Sequence, residues 1–270
     1  MSRCYTAPLL EAGADTKLVT SEQREQFGRD GYFIIEDMGL APEVFDGAVN
    51  DFVPLLLEEE GAEVWGEEGV FYTSHRIMDA WKISENIKAI ATAPRVLGIL
   101  EELYGRKPLP FQTLNFKMPT QQRAHSDTIH FNSKPGGFMA GVWVALEDMD
   151  MDNGPLFYYA GSHKLPEVTM QDVGVEADYS QYLHYEEYMQ KVVAENDLEI
   201  EYALIKKGQA LVWSANLLHG GAPANDPNRT RKSQVTHFFF EGTRYFTPLM
   251  SKDLTTEEGI FWREPEWITP

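Results

Sequence analysis

Phe111-Gln-Thr-Leu-Asn-Phe-Lys-Met118, followed closely by His125-Ser126-Asp127, is the stretch whose reading decides the architecture. Apolar and polar residues alternate through its first part, the pattern of a strand with one face in a core. On extended backbone, residues i and i+2 point to the same side, so His125 and Asp127 can reach one metal ion while Ser126 faces away. The tripeptide by itself is weak, since a chain with seven histidines and many acidic residues contains one by chance. A second segment changes its weight. Gln209-Ala-Leu-Val-Trp-Ser-Ala-Asn-Leu-Leu-His219-Gly-Gly is a short apolar strand ending at a histidine and two glycines, which let backbone pass close to a metal without a Cβ in the way. Two neutral imidazoles and one carboxylate fill one triangular face of an octahedral Fe(II) and leave the other open to an oxidant and O2. His125, Asp127 and His219 are therefore the candidate metal ligands and catalytic centre, and the chemistry they point to is oxidation.

Working outward, helices come first and strands after. Thr20 with Gln23 forms a capping-box signal for a helix to about Arg29. Phe45, Val49, Phe52, Val53, Leu56 and Leu57 fall at helical spacing within 42–60, where Pro54 should introduce a kink. A further helix is predicted over 94–104. Short strands are then expected at 111–118, 138–146, 155–160, 199–205, 209–214 and 234–240. Helices followed by antiparallel strands, with both ligand segments in the β region, predict a mainly β fold: a double-stranded β-helix (jelly roll, cupin-like) with flanking N-terminal helices and the metal in its mouth. Residues 166–197 leave the strand pattern and read as an insertion or lid carrying a helix from Tyr179 to Ala194, its four tyrosines assigned to packing. With no internal repeat or linker, 1–270 is read as one domain, its first 20 residues a loosely tethered arm.

Bulk properties narrow the function classes. At 270 residues, 43% hydrophobic and 12% aromatic, the chain can bury a sizeable core. Its formal net charge of −19 argues against nucleic acid or an anionic membrane as partner. The one cysteine, Cys4, allows no disulfide within a chain, and no apolar run approaches the ~20 residues of a membrane span. A cytoplasmic setting is the expectation.

Taken in order, several of these segments resemble the phytanoyl-CoA dioxygenase family of Fe(II)/2-oxoglutarate oxygenases. Leu18-Val-Thr-Ser-Glu-Gln-Arg-Glu-Gln-Phe-Gly-Arg-Asp-Gly-Tyr-Phe-Ile-Ile35 is similar to its opening helix and strand, and Ala93-Pro-Arg-Val-Leu-Gly-Ile-Leu-Glu-Glu-Leu-Tyr-Gly105 to its second helix. Gly141-Val-Trp-Val-Ala-Leu146, Asp152-Asn-Gly-Pro-Leu156, Gly161-Ser-His-Lys164, His219-Gly-Gly and Arg231-Lys-Ser-Gln-Val-Thr-His-Phe238 follow in the family's order. The resemblance implies iron bound by His125, Asp127 and His219, with 2-oxoglutarate as cosubstrate and O2 as oxidant. It implies that Arg231 holds the distal carboxylate of 2-oxoglutarate, a role that suits a planar, permanently charged fork, and that Trp143 lies beside it. Arg229, two residues earlier, competes for that role on strand register, and the residues following Arg231 favour Arg231. A departure stands at Gly221, where the family often carries a serine that bonds the cosubstrate. Relatives that transfer halide lack the carboxylate that Asp127 supplies, so the resemblance implies hydroxylation or a related oxidation, with release of succinate and CO2. Lacking a basic groove or a cluster for CoA phosphates, the chain is expected to act on a small or medium-sized metabolite.

The remaining histidines divide. His130, Asn132 and Ser133 leave the metal segment together and are candidate substrate contacts. His163 is read as structural, and His237 as core or pocket. Arg76, Asp79 and Trp81 are further candidates for the mouth. Two other readings stay open: a cupin-like metal-dependent hydrolase or isomerase without 2-oxoglutarate, and a metal-free jelly-roll binding protein.

Overall fold

A computed structural model describes residues 17–270 of the chain. Its helices are α1 (Ser21–Asp30), α2 (Pro42–Phe52), α3 (Glu85–Ala91), α4 (Pro94–Tyr104), α5 (Met170–Val173) and α6 (Tyr182–Glu195). Its strands are β1 (Tyr32–Ile35), β2 (Glu63–Trp65), β3 (Phe71–Thr73), β4 (Arg76–Met78), β5 (Pro108–Phe116), β6 (Asn132–Lys134) and β7 (Met139–Ala145), then β8 (Leu156–Tyr158), β9 (Glu201–Tyr202), β10 (Ala210–Ser214), β11 (His219–Gly221), β12 (Ser233–Phe240), β13 (Arg244–Phe246) and β14 (Trp262–Arg263).

Eight strands pair antiparallel in the order β1-β10-β7-β12-β5-β4-β3-β2, and two smaller sheets run β11-β8-β9 and β14-β13-β6. This is the double-stranded β-helix expected from the sequence. The alternation of side chains explains how it closes. On β7 and β10, Trp143, Leu211 and Trp213 point inward to meet Leu156 and Tyr158 of the β11-β8-β9 sheet in one buried cluster. Their neighbours Val142, Val144 and Val212 point the other way, onto Phe27, Phe45, Phe52 and Leu100 of the N-terminal helices. Both faces of these central strands are buried, so they read as continuous apolar runs. The back of β8 and its flank, through Phe157 and Tyr159, is covered by Met170, Tyr185 and Met189 of α5 and α6. Each such large side chain contributes ~1.5–3 kcal/mol of burial.

Local chemistry sets the helix ends. Thr20 and Gln23 make the reciprocal capping box, and Gly31, at φ 83°, closes α1 with its N–H on the Phe27 carbonyl at 2.9 Å. A Cβ at Gly31 would stand 2.4 Å from His163 Nδ1, so the Gly-Ser-His-Lys turn packs directly on that helix end. Three differences from the sequence reading have plain causes. α2 stops at Phe52 and passes into a single 3-10 turn, Val53–Leu55, because Pro54 lacks an N–H and clashes with the preceding turn. β2, β3 and β4 are three residues each, too short for periodicity to reveal. Residues 17–19, expected in a loose arm, are held by three backbone N–H donations to the Glu102 carboxylate at 3.0 Å; the rest of that arm, with Cys4, lies outside the described residues. No described helix is long and apolar enough to cross a membrane.

His163 is 3% exposed. Burial, aided by Lys164 and opposed by the Gly28 carbonyl, pulls its pKa down to about 4 from an ordinary 6.5. Protonation therefore favours the unfolded chain: this contribution is intact above 6.5 and is lost progressively as pH falls toward about 4. Denaturant titrations of metal-free protein across this range should show a shallower pH slope for His163→Gln than for the parent; identical slopes would show that His163 is not held neutral.

Candidate metal centre and its cavity

The two ligand segments meet through backbone. His125 and His219 exchange N–H···O=C bonds, both 3.0 Å, as a bridge outside the regular ladders, which sets their rings 4.5 Å apart. The expected continuous strand through Asp127 is absent, because a 3-10 turn, Asp127–Ile129, begins there. Ser126 is nevertheless extended, at φ −110° and ψ 138°, so the i, i+2 relation survives locally. Its hydroxyl turns away from the ligands to Thr128 Oγ1 at 2.7 Å and Asn216 Oδ1 at 2.9 Å.

Each imidazole is oriented by the carbonyl two residues before it. His125 Nδ1 lies 3.0 Å from the Arg123 carbonyl and His219 Nδ1 lies 2.9 Å from the Leu217 carbonyl. A carbonyl only accepts, so Nδ1 carries the proton and Nε2 keeps its lone pair. Those two Nε2 atoms stand 3.9 and 3.7 Å from Asp127 Oδ1, and the three ligand atoms lie within 4.8 Å of one another. Burial, with His219, drives His125 down to about 3, against the opposing pull of Asp127. Burial would raise Asp127, but His219, His237, His125 and the Trp213 N–H outweigh it and the carboxylate is held low. With each Nδ1 donating to a carbonyl and Asp127 held as a carboxylate, the triad can present two nitrogen lone pairs and one anionic oxygen, the donors a divalent metal requires.

The second oxygen of Asp127 is fixed by Trp213, whose Nε1 donates to Oδ2 at 2.7 Å. Gly141 makes this possible: a Cβ there would fall 2.2 Å from the Trp213 ring. The Tyr185 hydroxyl of α6 accepts from the Ser126 N–H at 3.3 Å. His237 Nε2 is 3.7 Å from Asp127 Oδ2, with its Nδ1 3.1 Å from Gln112 Oε1. His237 therefore faces the centre and is not general core.

The triad opens into a cavity of about 250 Å³ that is also lined by Arg231, Trp143 and His130. Arg231 is 3% exposed and sits between the rings of Phe116 and Trp143, 5.6 and 5.7 Å from their centres. Burial lowers its pKa to about 10, against the field of Glu147. Among the described residues, its Nε and the Trp143 Nε1 are both buried without a hydrogen-bond partner. Arg229 points elsewhere, paired with Asp150 at 3.1 Å on the surface, which separates the two arginines that strand register left in competition. At Gly221 a side chain would meet Thr120 Oγ1 at 2.3 Å, and Thr120 lines the cavity: a hydroxyl from a neighbouring segment occupies the space of the missing serine.

His130 reaches the cavity, while Asn132 and Ser133 lie on β6 outside it. Asn132 Nδ2 donates to Glu167 at 2.9 Å, and the Ser133 hydroxyl donates to the Pro135 carbonyl at 2.8 Å and accepts from the Phe138 N–H at 3.1 Å. The cause is the turn after Asp127, which swings the following chain away. Of the mouth candidates, Arg76 lines the cavity, whereas Asp79 accepts the Thr113 N–H at 3.1 Å. Tyr179 also lines it, beside His130 at 6.3 Å, so one of the four tyrosines expected only to pack borders the site. Trp213, Gln112 and Thr120 were not marked by the sequence. Gly141 was the available signal for Trp213, since a glycine in mid-strand announces a close neighbour.

Two histidines and one carboxylate gathered on one side of a cavity inside a double-stranded β-helix form the donor set typical of mononuclear non-haem iron oxygenases. Residues 27–233 match the family model described as Phytanoyl-CoA dioxygenase (PhyH), and the chain belongs to that family. It is 27% identical over 177 residues to phytanoyl-CoA dioxygenase domain-containing protein 1 of Danio rerio, a match spanning 60% of this chain and 55% of that protein. It is 20% identical to the peroxisomal phytanoyl-CoA dioxygenase of Bos taurus, over 91% of this chain and 75% of that one. In fold it is similar to EctD from S. alaskensis, with a TM-score of 0.67 and 18% identity over 99% of this chain and 93% of EctD. It is also similar to SnoN, a non-haem alpha ketoglutarate dependent epimerase from nogalamycin biosynthesis, with a TM-score of 0.61 and 19% identity over 91% and 97% of the two chains.

Trp213→Phe keeps an aromatic ring, though a smaller one, and removes the donor to Asp127. Anaerobic calorimetric titration with Fe(II) should show affinity reduced ~10–100-fold; unchanged affinity would mean that this bond does not orient the ligand.

Proposed function

We propose that the protein is an Fe(II)- and 2-oxoglutarate-dependent dioxygenase that oxidises an unactivated C–H bond of a small or medium-sized metabolite. The observation that carries this reading is a buried arginine, Arg231, that among the described residues has no carboxylate partner, in the same cavity as a buried His-Asp-His triad. An uncompensated interior charge costs several kcal/mol, and a ligand carboxylate removes that cost. A metal-dependent hydrolase would have no use for such an arginine, and a binding module would have none for two imidazoles tuned to expose Nε2.

Both groups fit the residues present. His125, Asp127 and His219 would hold the iron, leaving the cavity side open. Arg231 would take the far carboxylate of 2-oxoglutarate through a two-pronged charged hydrogen bond, with the Thr120 hydroxyl and the Trp143 N–H within the same cavity as further donors. When bound, iron and cosubstrate supply an oxidant strong enough for C–H attack and release succinate and CO2. The chain's own contribution is placement. Trp213 holds Asp127 through Oδ2, with His237 beside the same oxygen, so that Oδ1 stays turned toward the two ligand histidines. Met78, Leu114 and Val235 give the cavity apolar walls, which exclude water and keep a reacting carbon near the centre. Tyr179 and His130 narrow the mouth, and we assign residues 166–197, which supply Tyr179, the role of a cover. Hydroxylation is the simplest outcome, and epoxidation, desaturation and ring closure use the same site.

Anaerobic addition of Fe(II) and 2-oxoglutarate should produce the weak visible charge-transfer band of the chelate, and Asp127→Ala or His219→Ala should abolish it. Arg231→Gln should keep Fe(II) affinity but weaken 2-oxoglutarate binding by about 2–5 kcal/mol. Absence of the band in the parent protein would overturn the reading.

A further inference from the structure

A second arginine in the cavity wall has no part in the scheme above. Arg76 lies on β4, opposite Phe116, with Met78 opposite Leu114 in the β4–β5 ladder. Residues two apart share a face, so Arg76 and Met78 stand on the inner side of the sheet, in the wall that also carries Gln112, Leu114 and Phe116. Beside the metal cavity a wider cleft of about 720 Å³ opens, and Arg76, Phe116, Thr120 and Gln122 line both spaces. The guanidinium thus stands where the two meet. Among the described residues it has no ion pair and no side-chain hydrogen bond, and Glu63 acts on it only through its field. Arg29, Arg229 and Arg244 each have a carboxylate within 3.1 Å.

Charge balance makes this lone cation informative. The charged side chains lining the cavity are Arg76, Arg231 and Asp127. With iron and cosubstrate in place, the two charges of Fe(II) and that of Arg231 are offset by Asp127 and the two carboxylates of 2-oxoglutarate. Within the cavity Arg76 is left over; Glu60, Glu63 and Glu186 line the adjoining cleft, and among the described residues none of them forms an ion pair with it. Met78 and Leu114 line the same cavity as Arg76 and the triad, an apolar wall suited to a carbon chain.

We propose that Arg76 binds an oxyanionic group of the substrate, so that the enzyme acts on small organic anions held with the charged end at the cavity junction and a C–H bond over the metal. This rests on the iron and 2-oxoglutarate reading. Arginine suits the role because its planar fork meets carboxylate or phosphate with paired hydrogen bonds and stays charged at working pH.

The test uses the anaerobic Fe(II)/2-oxoglutarate complexes of the parent, Arg76→Gln and Arg76→Lys. The probes are a panel of plain, hydroxy- and amino-substituted monocarboxylates of about three to eight carbons, the amide of each, and the matching alkyl phosphates. The chelate band should form in all three proteins. At least one acid or phosphate should perturb it saturably in the parent, with the matching amide at least ~10-fold weaker; which anion binds more tightly identifies the group. Arg76→Gln should weaken that anion ~10-fold or more while leaving amide binding unchanged, and Arg76→Lys should restore part of the loss. Amides binding as well as acids, no anion acting on the band, or an unchanged anion affinity in Arg76→Gln would overturn the proposal and leave the iron reading intact. Loss of the band in Arg76→Gln with the parent unaffected would give Arg76 to the cosubstrate, overturning it in another way. No band in any of the three would remove the iron reading itself, and this proposal with it.

Discussion

Two backbone hydrogen bonds between His125 and His219 are the constraint on which the site depends. They join the segment after β5, where His125 belongs to no ladder, to the first residue of β11, which also pairs with Tyr158 of β8. Because the bonds are made by the ligand residues' own peptides, the rings cannot drift apart without breaking them. The same economy sets the tautomers, since the carbonyls that accept from Nδ1 belong to residues two positions upstream of each histidine. Donor geometry and donor protonation thus come from the local main chain, and Asp127, held by a tryptophan from the opposite side, completes the set.

Much of this was legible in the sequence, for reasons that can be named. β5, β7, β10 and β12 were found because each is long enough for its alternation or apolar run to show, and α1 and α4 because a capping box or an initial proline marks where they begin. The ligands were found because an H-x-D spacing, weak by itself, is answered by a second apolar segment that ends in a histidine and two glycines. What escaped depended on contacts distant in sequence. β2 to β4 are held in the sheet by pairing and carry no pattern of their own. Asn132 and Ser133 were placed near the centre by proximity along the chain, whereas one 3-10 turn redirects the backbone and sends them to the β6–β13 ladder. Thr120 was invisible because its hydroxyl enters a space defined by the absence of a side chain at Gly221.

The cavity is also a study in how an acidic protein handles internal positive charge. At the surface Arg29, Arg229 and Arg244 are paired with carboxylates, whereas among the described residues neither the buried Arg231 nor the exposed Arg76 forms an ion pair. Arg231 lies between aromatic faces, which soften its burial through their negative ring faces without neutralising it. A charge kept unmatched inside a fold, as Arg231 is, is an expense that folding alone would not select, and on the function proposed above it serves to receive an anion. The strong negative charge of the exterior has the opposite effect, so that what enters must be drawn by the local field near the mouth and not by the molecule as a whole.

Gly141 and Trp213 lie side by side on neighbouring strands, registered opposite one another, and the space denied to one is the space taken by the other. Neither position is free to vary by itself: enlarging the first evicts the indole, and shrinking the second leaves a void beside a ligand that has lost its support. The two positions are therefore bound to one another: a change at either is accommodated only by a compensating change at the other or by a different anchor for the carboxylate.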